Sequence, residues 1–205
     1  MIRVSIIGTA GRGPEVLNRV DYTSMYESAK FHIDTLKHKH KDLPIHVISG
    51  GAAISDHLAI SLFMKDQVEH LILHLPAEYK NGRFVETNSK YDTGKTANYY
   101  HDKFSKWMKA NTLSAIQMAK DKGANIITHK GFKQRNMYVG ATNVLIAYTF
   151  GTKSSICIRE KNQPEYSNSK LAGLKDGGTA HTWDNSIANV KIHVNLFDLL
   201  GYRND

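Results

Sequence analysis

Ile45-His46-Val47-Ile48-Ser49-Gly50-Gly51-Ala52-Ala53-Ile54-Ser55-Asp56-His57-Leu58-Ala59 is the stretch on which the fold turns. An apolar run stops at Ser-Gly-Gly-Ala, after which Ile54, Leu58, Leu62 and Phe63 recur at helical spacing. This order predicts a strand, a tight glycine turn and a helix start. Amides in the first turn of a helix have no internal partner, and the helix dipole adds roughly half a positive charge there, so such a corner attracts anions. The same design precedes it in Ile2-Arg3-Val4-Ser5-Ile6-Ile7-Gly8-Thr9-Ala10-Gly11-Arg12-Gly13. It follows again where Val144-Leu145-Ile146-Ala147-Tyr148 leads on towards Gly177-Gly178-Thr179. The expected architecture is α/β, Rossmann-like and doubly wound. About five main strands form a parallel sheet, helices cover both faces, and the glycine corners gather at one edge.

The totals around that stretch are those of an ordinary globule. With 205 residues, 41% hydrophobic and 22% charged, the chain suits one buried domain over residues 1–205 and not a disordered segment. No apolar run approaches the ~20 residues that cross a bilayer, and no signal-peptide pattern opens the sequence. A single cysteine, Cys157, precludes an internal disulfide and fits a reducing compartment, so the expected location is cytoplasmic and no membrane partner is expected. The formal charge of +8, from 27 basic and 19 acidic residues, favours anionic partners, either phosphorylated small molecules or nucleic acid. Much of that excess lies in Lys37 to Lys41 and Lys103 to Lys133, where it alternates with helical apolar positions as a solvated helix face does.

Several local patterns narrow the chemistry. Gly8, Gly11 and Gly13 lack the spacing of a dinucleotide fingerprint, and no acidic residue ends a second strand to hold a ribose, so a nicotinamide dehydrogenase is disfavoured. Thr9 and Arg12 in that loop are candidates for phosphate contact. Asp56 suits the start of its helix by capping, and can also face a ligand. His70 and His74 share a face of the third strand, 70–75, but without a third ligand they read as sheet-face histidines, and no metal is expected. Thr93-Gly94-Lys95-Thr96 echoes a P-loop end while lacking its upstream glycine. Helices are expected over Tyr22–His40, through about Lys65, as a pair over 99–122, and after Gly178 to about Asn189. Short strands are expected at 126–128 and 154–158, and 191–195 is expected to close the sheet. Residues 76–122 read as a loop and helical insertion, a lid from which Asn98, Tyr99, Tyr100 and His101 would contact a base.

Taken in order, four motifs resemble the SLOG superfamily of Rossmann-like nucleotide-binding proteins. They are Gly8-Thr9-x-Gly11-Arg12, then Ser49-Gly50-Gly51-Ala52 with Asp56 and Leu58-Ala59, then Arg135-Asn136-Met137 with Ala141-x-Asn143-x-Leu145-Ile146-Ala147, and finally Gly178-Thr179. That group includes the YspA-like proteins, the DNA-processing protein A and the LONELY GUY-type phosphoribohydrolases. The likeness covers residues 2–65 and 124–195. It implies a homo-oligomer with its ligand at the carboxyl ends of the strands. Phosphate would be cradled by Gly8, Thr9, Ser49, Gly50, Gly51, Gly177, Gly178 and Thr179, with Arg12 and Arg135 neutralising it and Asn136, Asn143 and Thr182 nearby. Asn143 stands where relatives carry Asp, and His181 and Thr182 stand where the phosphoribohydrolases carry glutamates. N-glycosidic cleavage needs a carboxylate near the anomeric carbon. His181 is a base near neutral pH but brings no negative charge, so Asp184, His181 and Asp56 form the candidate catalytic set. The sequence thus leads to a nucleotide pocket, with the ligand either cleaved or held as a signal and no cofactor required. The alternative is a DNA-binding protein that uses its basic surface.

Overall fold

The computed structural model of the protein describes residues 1–159, 168–175 and 177–202. Residues 160–167 of the polar stretch read through Lys175, Asp176 at the third glycine turn and 203–205 of the tail lie outside the described residues.

The central sheet has seven strands: β1 (Ile2–Gly8), β2 (Ile45–Ser49), β3 (His70–Leu75), β6 (Asn125–Thr128), β7 (Val144–Thr149), β8 (Ser155–Ile158) and β9 (Val190–Asn195), in the order β6-β3-β2-β1-β7-β9-β8. All pairings are parallel except that of β8 with β9, which is antiparallel. The count exceeds the expected five because two short edge strands, four residues each, extend the sheet. One expectation is corrected: β9 does not close the sheet but lies between β7 and β8.

Side-chain alternation along the strands builds two cores. Val4 and Ile6 of β1, with Val144, Ile146 and Tyr148 of β7, face the larger core. There they meet α1 (Arg19–Lys39), α2 (His57–Met64), α3 (Thr93–Met108) and α4 (Thr112–Asp121). Ile7, Leu145 and Ala147 face the other side, where Val139 of α5 (Gly131–Gly140) and Trp183 of α6 (Gly178–Asn185) cover them. The short α7 (Leu196–Leu200) packs against α1 and β9. Helix α1 starts earlier than its apolar periodicity indicates, because Asn18 and Asp21 form a reciprocal capping box.

The 76–122 segment is placed differently from the lid that the sequence suggests. It begins with an antiparallel hairpin of β4 (Tyr79–Lys80) and β5 (Arg83–Phe84). Asp92 then caps α3 by accepting from the Lys95 amide at 2.9 Å, so Thr93–Thr96 is the first turn of a helix. Phe104, Leu113, Ile116 and Ala119 are buried in the main core, which makes the segment a structural crossover from β3 to β6.

Strand β1 has β2 on one side and β7 on the other, so the direction of chain winding reverses between β1 and β7. A crevice opens outside the carboxyl ends of strands at such a switch point, and ligands of open α/β sheets bind there.

Candidate functional site

The crevice is present. Gly8, Thr9 and Arg12 line it from the end of β1, Arg135 and Asn136 from α5, and Gly177, Gly178, Thr179 and Thr182 from the start of α6. Asp56 and Tyr100 are the other residues expected from the sequence that line it. Gly8 has φ 154°, and a Cβ there would fall 2.0 Å from the Tyr148 carbonyl oxygen, so only glycine permits this close passage of β1 past β7.

Arg135 is the most constrained of these groups. Its side chain is 11% exposed, and Nη1 donates to the Gly50 carbonyl at 2.8 Å and to Asp56 Oδ2 at 3.3 Å. Nε is buried without a hydrogen-bond partner among the described residues, and the guanidinium lies 5.5 Å from the Phe132 ring centroid. Arg12 sits 5.6 Å from the Tyr100 centroid and 6.0 Å from that of Phe132. Burial pushes the Asp56 carboxyl above its ordinary value, opposed by the Arg135 charge and by the amides of Ala52, Gly50 and Gly8. Lys175 also lines the cleft and pairs with Glu15 at 3.0 Å. Three cations and a single carboxylate therefore face this space among the described residues. Helix α6 adds to the positive end: its N-cap is Gly177, at φ 124°, and no side chain among the described residues caps it.

Ser49, Gly50 and Gly51 lie behind this surface, not on it. The sequence makes their corner an open anion site, but α2 starts only at His57, and the turn before it folds the protein's own carboxylate back. Ser49 Oγ donates to the Asp56 carbonyl at 2.8 Å, the Gly51 amide donates to Ser49 Oγ at 3.3 Å, and the Ala52 amide donates to Asp56 Oδ2 at 3.4 Å. Gly50 leaves room for the arginine, since a Cβ there would fall 1.9 Å from Arg135 Nη1.

Other expected residues also lie elsewhere. Asn143 is at the opposite end of the sheet, where Oδ1 accepts from the Arg3 amide at 2.9 Å. Asn98 is buried and bonds both backbone groups of Phe84. His101 is fully buried under the second glycine turn, with Nε2 3.0 Å from the Gly51 carbonyl, and burial pushes its pKa down to about 4. Tyr99 is 62% exposed outside the cleft, which leaves Tyr100 as the one member of that quartet that lines it. His181 is exposed on α6, and Asp184 accepts from the Ser169 amide at 2.7 Å and from its hydroxyl at 2.9 Å. Neither lines the cleft, so Asp56 is the member of the candidate catalytic set that does. Of the two strand histidines, His74 stacks beneath Tyr138 and places Nδ1 2.8 Å from His129 Nε2.

Thr149, Phe150, Phe132 and Lys175 line the cleft without having been singled out in the sequence. Thr149 and Phe150 follow the apolar run of β7, and the rule that ligands sit outside strand carboxyl ends was signal enough to find them. No helix among the described residues is long and apolar enough to cross a bilayer.

An uncharacterised protein, R261, of Acanthamoeba polyphaga mimivirus is 28% identical to this chain over 204 residues, which span 95% of this chain and 96% of that one. No family model and no solved structure matches the sequence.

Proposed function

We propose that the cleft binds a nucleotide or a nucleotide-derived phosphorylated small molecule. The observation that carries this reading is the convergence of Arg12, Arg135 and the uncapped start of α6 where β1 and β7 end. Arg135 keeps a buried Nε–H without a partner among the described residues, and an anion oxygen in the cleft supplies one. Tyr100 and Phe132 offer ring faces on which a base stacks once Arg12 turns from them to phosphate. The motif likeness to the SLOG superfamily supports the same ligand class. An N-glycosidic step, if the ligand is turned over, runs through Asp56, since Asp184 is committed to Ser169 and His181 faces solvent.

Calorimetric titration with a panel of nucleoside monophosphates, with chromatography for released base, tests the reading. Saturable binding that is lost in Arg135→Met and weakened in Arg12→Ala supports it, and any base release should vanish in Asp56→Asn. Failure of every nucleotide to bind, or binding indifferent to both arginines, contradicts it. The DNA-binding alternative rests on the overall charge of +8. It requires single-stranded DNA retention on filters that falls steeply with salt, by about one counterion per phosphate contacted.

A further inference from the structure

His193, on β9, is 1% exposed and stands behind the cleft. Its Nδ1 lies 3.1 Å from the Ala172 carbonyl oxygen and its Nε2 lies 2.8 Å from Thr149 Oγ1. A carbonyl oxygen only accepts, so the ring proton resides on Nδ1. Burial holds this imidazole below its ordinary pKa, against the opposing carbonyls of Ala172 and Lys153, so at pH 7 the ring is neutral and Nε2 is bare. The Thr149 hydroxyl must then donate to Nε2. The reverse arrangement would set the bare lone pair of a buried Nδ1 against a carbonyl oxygen. The ring is also held in place by what surrounds it. A Cβ on Gly151 would fall 2.8 Å from His193 Cε1 and 2.0 Å from the Gly173 carbonyl oxygen, so imidazole and backbone fill that space.

With its proton committed, the Thr149 oxygen has only lone pairs to offer. One receives a long bond of 3.4 Å from the Lys175 amide, and the other has no donor among the described residues, in a threonine that is 3% exposed and lines the cleft. Thr9, at the end of the neighbouring strand, has the opposite polarity. Its Oγ1 accepts from the Gly11 amide at 3.2 Å, and among the described residues its proton is given to no protein acceptor. The β1 side of the cleft, with Thr9 and Arg12, is thus a donor surface suited to phosphate, and the β7 side presents an acceptor.

We propose that Thr149 forms a hydroxyl-recognising subsite, in which Oγ1 accepts a hydrogen bond from a sugar hydroxyl of a sugar phosphate and His193 is the positioning residue that sets the polarity. A phosphate oxygen, which is largely unprotonated near neutral pH, is repelled by the same lone pair, so the subsite fixes which end of the ligand lies under β7. The inference rests on the phosphorylated-ligand reading above and adds to it the orientation and the sugar.

The test is calorimetric titration at pH 7.5 of wild type, Thr149→Val and Thr149→Ser, with ribose 5-phosphate and inorganic phosphate as probes. Thr149→Val should weaken ribose 5-phosphate roughly tenfold. Inorganic phosphate should stay within about twofold of wild type, a shift far smaller than one hydrogen bond. Thr149→Ser should restore the wild-type preference. Nitrogen-15 NMR of the ligand-free wild type should find His193 neutral and protonated on Nδ1, a readout independent of how the variants fold. Equal losses on both probes, no rescue by serine, or a proton on Nε2 overturns the subsite while leaving phosphate binding standing. If neither probe binds the wild type, this inference fails, while the nucleotide reading is decided separately by the nucleoside monophosphate titration.

Discussion

Replacing Arg135 by Met keeps an unbranched stem of similar reach and removes the charge. The variant loses the 2.8 Å bond to the Gly50 carbonyl and the 3.3 Å contact with Asp56. Asp56, whose side chain is 6% exposed, is left as a buried carboxylate held only by backbone amides, that of Ala52 at a long 3.4 Å. Removing one partner of a buried pair costs about 3–5 kcal/mol, mostly the desolvation of the orphaned charge. Against a total stability of about 5–15 kcal/mol that is a large fraction. The sign of the pH dependence follows from Asp56. Its folded pKa already lies above the unfolded value through burial, so its contribution is most favourable at acid pH and is lost as pH rises through the folded pKa. Without Arg135 the folded pKa climbs further, so the deficit of the variant should shrink as pH falls from 7.5 to 5. Urea unfolding followed by tryptophan emission, from the fully buried Trp183 together with Trp107, reads both effects. The double variant Arg135→Met/Asp56→Asn should be less destabilised than the sum of the singles by at least about 1 kcal/mol. A loss below about 1 kcal/mol that is equal at both pH values would refute the reasoning, because a buried charge left alone cannot be that cheap.

Gly50→Ala should displace the same arginine, since its Cβ would fall 1.9 Å from Nη1 and 2.7 Å from Asp56 Oδ2, and we expect about 2–4 kcal/mol of destabilisation with loss of anion binding. Wild-type urea midpoints and affinity would show that Arg135 has room to move. Asp184→Asn should cost about 1–2 kcal/mol by loosening its hold on Ser169, and His181→Ala almost nothing. Neither should change ligand affinity, and a large effect of either on titration would return α6 to the catalytic set. His57 and His101 are buried, with pKa values pushed down to about 3 and about 4. A depressed histidine favours the folded state fully above its unfolded value near 6.5, and that advantage drains away as pH falls towards the folded value. The pair should remove about 2.7 kcal/mol per pH unit between roughly 6 and 4, which the single opposing Asp56 cannot cancel. Urea midpoints that hold steady from pH 7 to pH 5 would contradict this.

Local rules were enough to read the strands, and the strands fixed where the cleft lies. Runs such as Val144–Tyr148 mark strands buried on both faces, and Gly8, Gly177 and Gly178 mark the corners beside them. What could not be read locally was how the protein satisfies its own groups. Ser49-Gly50-Gly51-Ala52 has the residues of an anion corner, yet Asp56 and Arg135, distant from each other in sequence, close over it. Asn98 and His101 have the chemistry of base contacts, but α3 also carries Phe104, whose burial turns that face of the helix inward. Asp184 was attractive as a carboxylate close after His181, and its bond to Ser169 depends on a loop that periodicity does not describe. His193 looks like any alternate residue of a strand, and its pairing with Thr149 depends on the order β7-β9-β8, which no local pattern encodes.

The claim that the β1–β7 cleft is an anion-binding nucleotide site is tested most directly by backbone amide NMR during titration with nucleoside monophosphates. The account predicts saturable shifts centred on the amides of Thr9, Gly178 and Thr179, absent in Arg135→Met. Shifts confined to surfaces away from the cleft, or none with any nucleotide, would contradict it.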